Sequence, residues 1–229
     1  MPLLCYHVEK GGDNIAKIIL FQGDSITDCG RPRDNFYGMG NGYANLVKAS
    51  IGLDYPNEYE FLNRGVSGNR IVDLYARIKA DFINLSPDYA SIYIGVNDAW
   101  HEIGSRNGVD TEKFEKIYTM LIDEVRAACP ETKLMIIAPY VLEGSATCNT
   151  DEIPDRLERF KKDVAEKAEV AKKIANKYSL PLVELQAAFD EACTKAPPEY
   201  WTADGVHPTP SGHEIIKRLW LETFEKQRK

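Results

Sequence analysis

Lys17-Ile18-Ile19-Leu20-Phe21-Gln22 runs straight into Gly23-Asp24-Ser25. The six-residue run is short, apolar and rich in β-branched and aromatic side chains, which reads as a strand buried on both faces. Strands of that kind build parallel sheets. The next three residues are turn formers. A serine on a sharp turn after such a strand presents its hydroxyl at the carboxyl edge of the sheet. If a helix begins there, its free backbone N–H groups point to the same place. Gly-Asp-Ser is also ordinary turn chemistry, and Asp24 or Ser25 is equally suited to capping a helix.

Four more runs of this type follow, at 59–63, 89–94 (YASIYI), 133–138 (KLMIIA) and 180–185. Helical periods separate them, at 43–51, 71–84, 111–128, 156–178 and 211–224. In 111–128 the residues Phe114, Ile117, Leu121, Ile122 and Val125 step by three and four, as one buried face requires. Asp110 or Thr111 supplies its N-cap. The stretch 156–178 is long and charged, with a thin apolar stripe through Leu157, Phe160, Val164, Ala168, Ala171, Ile174 and Ala175; its charges read as a solvated face. Strands alternating with helices predict an α/β fold, a parallel sheet covered on both faces. Ligands of such sheets sit outside the carboxyl ends of the strands. No repeat or linker interrupts the pattern, so residues 1–229 read as a single domain.

The 229 residues are 44% hydrophobic and 28% charged, with a formal net charge of −7. That balance argues against a nucleic-acid partner, which needs a concentrated basic face. The apolar run at the N-terminus is too short for a signal-peptide core, and Glu9 and Asp13 follow it closely. No stretch approaches the roughly 18 apolar residues of a membrane span. The five cysteines, Cys5, Cys29, Cys129, Cys148 and Cys193, form no CxxC pair, which speaks against zinc and dithiol chemistry. These features together predict a reduced, cytoplasmic protein that does not bind membranes.

A serine hydroxyl needs a base before it can attack a carbonyl. Asp204-Gly205-Val206-His207-Pro208 offers one, with a carboxylate three residues away to fix the tautomer of the imidazole. The chain has four histidines. His213 falls on the last helix and His7 near the start. His101 is a competitor, with Asp98 three residues before it, so Asp98–His101 is the second-ranked pair. The Gly-x-Ser-x-Gly elbow of another hydrolase fold is absent, since position 27 is Thr. Gly68 in Gly65-Val66-Ser67-Gly68-Asn69 and Asn97 in Gly95-Val96-Asn97-Asp98 each follow a strand. A glycine N–H and an asparagine amide are suitable oxyanion donors. Each loop alone is turn chemistry; their coincidence at the edge of one predicted sheet is the signal.

These four blocks, Gly-Asp-Ser, Val-Ser-Gly-Asn, Gly-Val-Asn-Asp and Asp-Gly-Val-His, occur in the order found in SGNH (GDSL-type) hydrolases, and the chain resembles that family from residue 23 to 207. One departure is Ile at position 26, where the family motif has Leu. The resemblance implies Ser25 as nucleophile, Asp204 and His207 completing the triad, and Ser25 N–H, Gly68 N–H and Asn97 as oxyanion hole. It is nearest to the carbohydrate O-acetylesterase branch that includes acetylxylan esterases. The stretches that carry this are Gly23 through Arg31, Gly40-Asn41-Gly42-Tyr43, Asn63 through Asn69, Ile94 through Trp100, and Gln186-Ala187-Ala188-Phe189.

That branch implies a flavodoxin-like three-layer sandwich, with five strands in the order 2-1-3-4-5. It implies an acetylated saccharide as substrate, no metal or organic cofactor, and a homo-oligomer. Trp100, Tyr200 and Trp201 are expected either against sugar rings or in the core. Asp24 is expected as a substrate contact. Arg31, Asp28 and Asn69 are placed either to bind sugar hydroxyls or to brace the loops.

Three other readings compete. A lysophospholipase or lipase would expose a broad apolar groove, and a thioesterase or aryl esterase would take another small acyl ester. A carbohydrate-binding protein on a hydrolase fold would lack a triad member, and none is missing. A flavodoxin-type cofactor binder would need a phosphate cradle where this chain places Asp24 and Asp28.

Overall fold

The computed structural model describes residues 16–229. The first strand, β1 (Lys17–Gly23), gives way to a single helical turn, α1 (Ser25–Asp28), and then α2 (Tyr43–Asp54) and β2 (Tyr59–Asn63). Next come α3 (Ile71–Ala76), α4 (Ile78–Asp81), β3 (Tyr89–Tyr93), α5 (Val96–Ser105), α6 (Thr111–Ala128) and β4 (Lys133–Ile137). The chain ends with α7 (Arg156–Tyr178), β5 (Leu182–Val183), α8 (Gln186–Cys193), α9 (Pro198–Trp201) and α10 (Pro210–Arg228).

The strands form one parallel sheet in the order β2-β1-β3-β4-β5. Alternation along each strand feeds two cores. Ile19 and Phe21 of β1, with Met135 and Ile137 of β4, pack toward α2 and α10, where Tyr43, Val47, Trp220 and Phe224 complete the layer. Leu20, with Leu134 and Ile136, packs toward α3, α6 and α7 through Leu74, Tyr118, Leu121 and Ile174. Every residue of β3 is buried, as a central strand covered on both faces requires.

Three expectations need correction. The helix expected at 71–84 is broken at Arg77, whose backbone (φ −112°, ψ 8°) leaves helical geometry. Its side chain bonds instead to Gly23 O and Arg64 O at the sheet edge. The strand expected at 180–185 shortens to Leu182–Val183, preceded by Pro181, which has no N–H for a ladder. The face of α7 is not wholly solvated: Lys167 is 1% exposed. Its ammonium is paired with Asp163 and donates to Thr111 Oγ1 at 3.1 Å. A buried ammonium needs such partners to offset the solvation it gives up. Among the described residues no helix is long and apolar enough to cross a membrane, and Cys29, Cys129, Cys148 and Cys193 are free thiols. Cys5 and His7 lie outside the described residues.

Candidate active site

β1, β2 and β3 end side by side, so the segments that leave them share one edge. After β1, Asp24 caps α1, its Oδ1 accepting from Ile26 N at 3.0 Å. Ser25 is then the first residue of the helix, and its N–H has no intrahelical acceptor. Its Oγ lies 2.9 Å from His207 Nε2. His207 Nδ1 lies 2.7 Å from Asp204 Oδ2. Hydroxyl, imidazole and carboxylate therefore stand in series.

The segment carrying the imidazole and its acid is closed on itself. Thr202 and Pro208 form an antiparallel bridge across its base. Asp204 Oδ1 accepts from Val206 N at 2.9 Å and His207 N at 2.8 Å. A second segment backs it: Leu142 N donates to Gly205 O and Ala146 N to Asp204 O. Between them Gly144 presses backbone on backbone. A Cβ there would come within 2.2 Å of the Asp204 carbonyl carbon. Residues 142–148 thus buttress the loop that carries Asp204 and His207.

Electrostatics follow from this geometry. Burial pushes the Asp204 carboxyl up, but the hydrogen bonds from the His207 side chain, His207 N and Val206 N outweigh it, and the net shift is downward. His207 is raised above its ordinary 6.5, first by the Asp204 hydrogen bond, against an opposing pull from burial, with the Asp204 and Asp24 charges adding to the rise. An anionic acid beside an imidazole that holds its proton more tightly is what a general base requires.

On the other side, the turn at Gly68 takes φ +81° with nothing within 4 Å of a Cβ, so its backbone and not crowding calls for glycine. Asp28 Oδ2 braces this turn, accepting from Ser67 N at 3.0 Å and Ser67 Oγ at 2.7 Å while paired with Arg33. Asn97 donates from Nδ2 to Asn69 O at 3.1 Å, which leaves the second amide hydrogen free. Asp98 accepts from Ile71 N at 3.0 Å, anchoring α5 to α3.

The other expected residues have these places. Asp24, expected as a substrate contact, is fully buried and caps α1 instead. Burial raises its carboxyl to about 7 against the Ile26 hydrogen bond. Arg31 Nε donates to Gly65 O at 2.9 Å, and Asn69 Oδ1 accepts from Arg77 Nε at 2.7 Å, so both brace loops, as Asp28 does. The Trp100 ring lies 5.8 Å from that of His207. Trp201 donates to Ala196 O and, with Tyr200, lines a groove of about 580 Å³ between α8 and α10. Ser25, Asp204 and His207 are not part of that lining.

Asp98 and His101 are not joined by a hydrogen bond: Asp98 is turned to Ile71 N, and burial lowers His101. His213 is buried, accepting from Tyr43 N at 3.1 Å beside Cys29. Two contributors escaped the sequence reading. Arg77 sits in a helical period where a charge reads as solvated, and the 142–148 buttress has no motif. Among the described residues no cluster of His, Cys, Asp and Glu could hold a metal.

A hydroxyl–imidazole–carboxylate series at the carboxyl edge of a parallel sheet defines a hydrolase of the serine type. The chain belongs to the GDSL-like lipase/acylhydrolase family, whose model matches residues 21–215, and it is a carboxylic ester hydrolase. An acetylxylan esterase of Geobacillus stearothermophilus is 32% identical over 213 residues, spanning 89% of this chain and 91% of that one. The solved structure of Axe2, an acetylxylan esterase from the same organism, superposes with a TM-score of 0.79 at 30% identity, covering 92% of this chain and 94% of the other. A protein of Parabacteroides merdae assigned as a GDSL-like lipase superposes with a TM-score of 0.81 at 33% identity, covering 92% and 97%.

Proposed function

We propose that the protein removes O-acetyl groups from xylose or xylo-oligosaccharide esters through an acyl-enzyme on Ser25. The observation that carries this is the unbroken series from Ser25 Oγ through His207 to Asp204, at 2.9 and 2.7 Å. The similarity to an acetylxylan esterase supports the substrate. Variants of Axe2 described as catalytic mutants replace a serine and an aspartate, which supports the roles of those two residue types.

The reaction has two halves. Ser25 Oγ attacks the acetyl carbonyl while its proton passes to His207 Nε2. The imidazolium so formed is stabilised by Asp204 at Nδ1. The carbonyl oxygen becomes an oxyanion held by Ser25 N–H, Gly68 N–H and the free hydrogen of Asn97 Nδ2. Collapse expels the sugar oxygen, which takes the proton from His207. Water then attacks the acetyl-serine, giving its proton to His207, and acetate leaves as the proton returns to Ser25. The Trp100 ring beside His207 offers an apolar face of the kind that sugar C–H surfaces cover.

The same reading places the enzyme in the cytoplasm as a homo-oligomer. Free thiols suit a reduced compartment, and sedimentation of the purified chain checks the assembly. Ser25→Ala abolishes acetate release from p-nitrophenyl acetate while far-UV circular dichroism stays unchanged; turnover retained by this variant removes the assignment. Substrate is tested by comparing acetylated xylo-oligosaccharides with p-nitrophenyl esters of increasing acyl length. Acetyl-saccharides are expected to be preferred, and a rate maximum at long acyl chains would favour a lipase instead.

A further inference from the structure

Arg77 stands between α3 and α4, and its guanidinium reaches back to the carboxyl edge of the sheet. Its Nη2 donates to Gly23 O at 3.0 Å, its Nη1 to Arg64 O at 2.7 Å and Asp81 Oδ2 at 2.9 Å, and its Nε to Asn69 Oδ1 at 2.7 Å. The side chain is 17% exposed. Its acceptors adjoin all three oxyanion donors. Gly23 is two residues before Ser25. Arg64 opens the loop that reaches Gly68. Asn69 follows Gly68, and its carbonyl receives the Asn97 amide. Only a planar fork with five donors serves acceptors in so many directions; an ammonium on a flexible stem supplies the charge without the fork. Asp81 offsets the positive charge, so what Arg77 contributes to the site is geometry.

We propose that Arg77 is a positioning residue for the oxyanion hole, holding the Ser25 N–H, the Gly68 N–H and the Asn97 amide on one point through Gly23, Arg64 and Asn69. This rests on the assignment of those donors made above. It does not depend on the identity of the sugar. Arg77 directs its hydrogen bonds to Gly23, Arg64, Asn69 and Asp81, and none to Ser25, Asp204 or His207. Its loss is therefore felt only where the oxyanion forms, in kcat rather than in KM.

The experiment measures p-nitrophenyl acetate hydrolysis by Arg77→Lys and Asn97→Ala, each normalised to sites titrated to completion with a fluorophosphonate. Misplaced donors predict a loss of about tenfold to a hundredfold in kcat per titrated site for Arg77→Lys. KM is expected to move by less than about twofold, since an interaction made only in the transition state is removed. A purely structural arginine would lower the melting temperature and the number of titratable sites while leaving kcat per site intact, and that result overturns the proposal. Full kcat in Asn97→Ala overturns the hole itself, and the role of Arg77 with it. A deficit in Asn97→Ala without one in Arg77→Lys leaves the hole standing and removes Arg77. Should Arg77→Lys fail to fold, Asn69→Ala carries the test. It deletes the Nε acceptor but keeps the carbonyl that holds Asn97. A several-fold loss in kcat per site supports the proposal, and no loss overturns it.

Discussion

The loop that carries Asp204 and His207 and the edge that carries Ser25, Gly68 and Asn97 meet where Ser25 Oγ faces His207 Nε2, but Asp204 in the one and Asp98 in the other are held by opposite means. In the loop, Asp204 bonds to the side chain and backbone of His207, three residues on, and to Val206 N, two residues on. At the edge, the bonds that matter join residues 27, 39 and 54 positions apart: Ile71 to Asp98, Ser67 to Asp28, Arg77 to Gly23. The acids differ accordingly. Asp204, supplied with local N–H donors, is held below its ordinary value. Asp98, buried with Ile71 N as its main donor, is raised to about 8. Depth of burial and the number of donors decide the sign: three hydrogen bonds outweigh partial burial at Asp204, and near-complete burial outweighs the Ile71 N–H at Asp98.

On this division the loop is the more sensitive half. Asp204→Asn keeps the size of the side chain but favours the wrong imidazole tautomer, and kcat is expected to fall by about 10⁴. Steady-state rates on p-nitrophenyl acetate check it, and a loss under tenfold would break the loop's claim to be the acid–base half. Asn97→Ala, at the edge, is expected to cost about 10² to 10³ in kcat. A loss matching that of Asp204→Asn would erase the contrast.

The pH profile sharpens it further. As the proposed base His207 works only when neutral, and it is raised above 6.5 chiefly by Asp204. Activity is therefore lost as pH falls through a value above 6.5, and the residual activity of Asp204→Asn loses its acid limb at lower pH than the wild type. A limb that does not move assigns it to another group.

The smallest effect belongs to Asp98. Folded, it keeps its proton to about 8, against 3.8 for the free side chain. Between those values the folded chain binds more protons than the unfolded one, so this group's contribution to stability falls as pH rises. Asp98→Asn should gain in melting temperature relative to wild type between about pH 5 and about pH 8. A constant difference across that range removes the assignment.

The same contrast explains what could be read beforehand. Strand runs at 17–22, 59–63 and 89–94 follow from short apolar composition, and the helices at 111–128 and 156–178 from periodicity, signals spread over the whole of each segment. The sheet order came from resemblance, and the parallel sheet in that order is what is found. Asp204 and His207 stand three residues apart, so a spacing rule could find them. Arg77 could not be found that way, because its acceptors lie 8, 13 and 54 residues away and a lone arginine in an amphipathic stretch looks solvated. Asp24 misled for the reverse reason. Beside Ser25 in sequence, it is fully buried and caps α1. Helix α5 was missed because its N-cap is Gly95 at φ +132°, and Gly-Val-Asn-Asp reads as a loop.

The backbone contact at Gly144 has a bearing on how variants of this protein are interpreted. A single added methyl group there would drive directly into the peptide unit that follows Asp204. In a screen scored by hydrolysis alone, position 144 would rank with the triad. Only a variant map that also measures abundance or acyl-enzyme formation would separate residues that perform the reaction from a glycine whose sole duty is to stay out of its way.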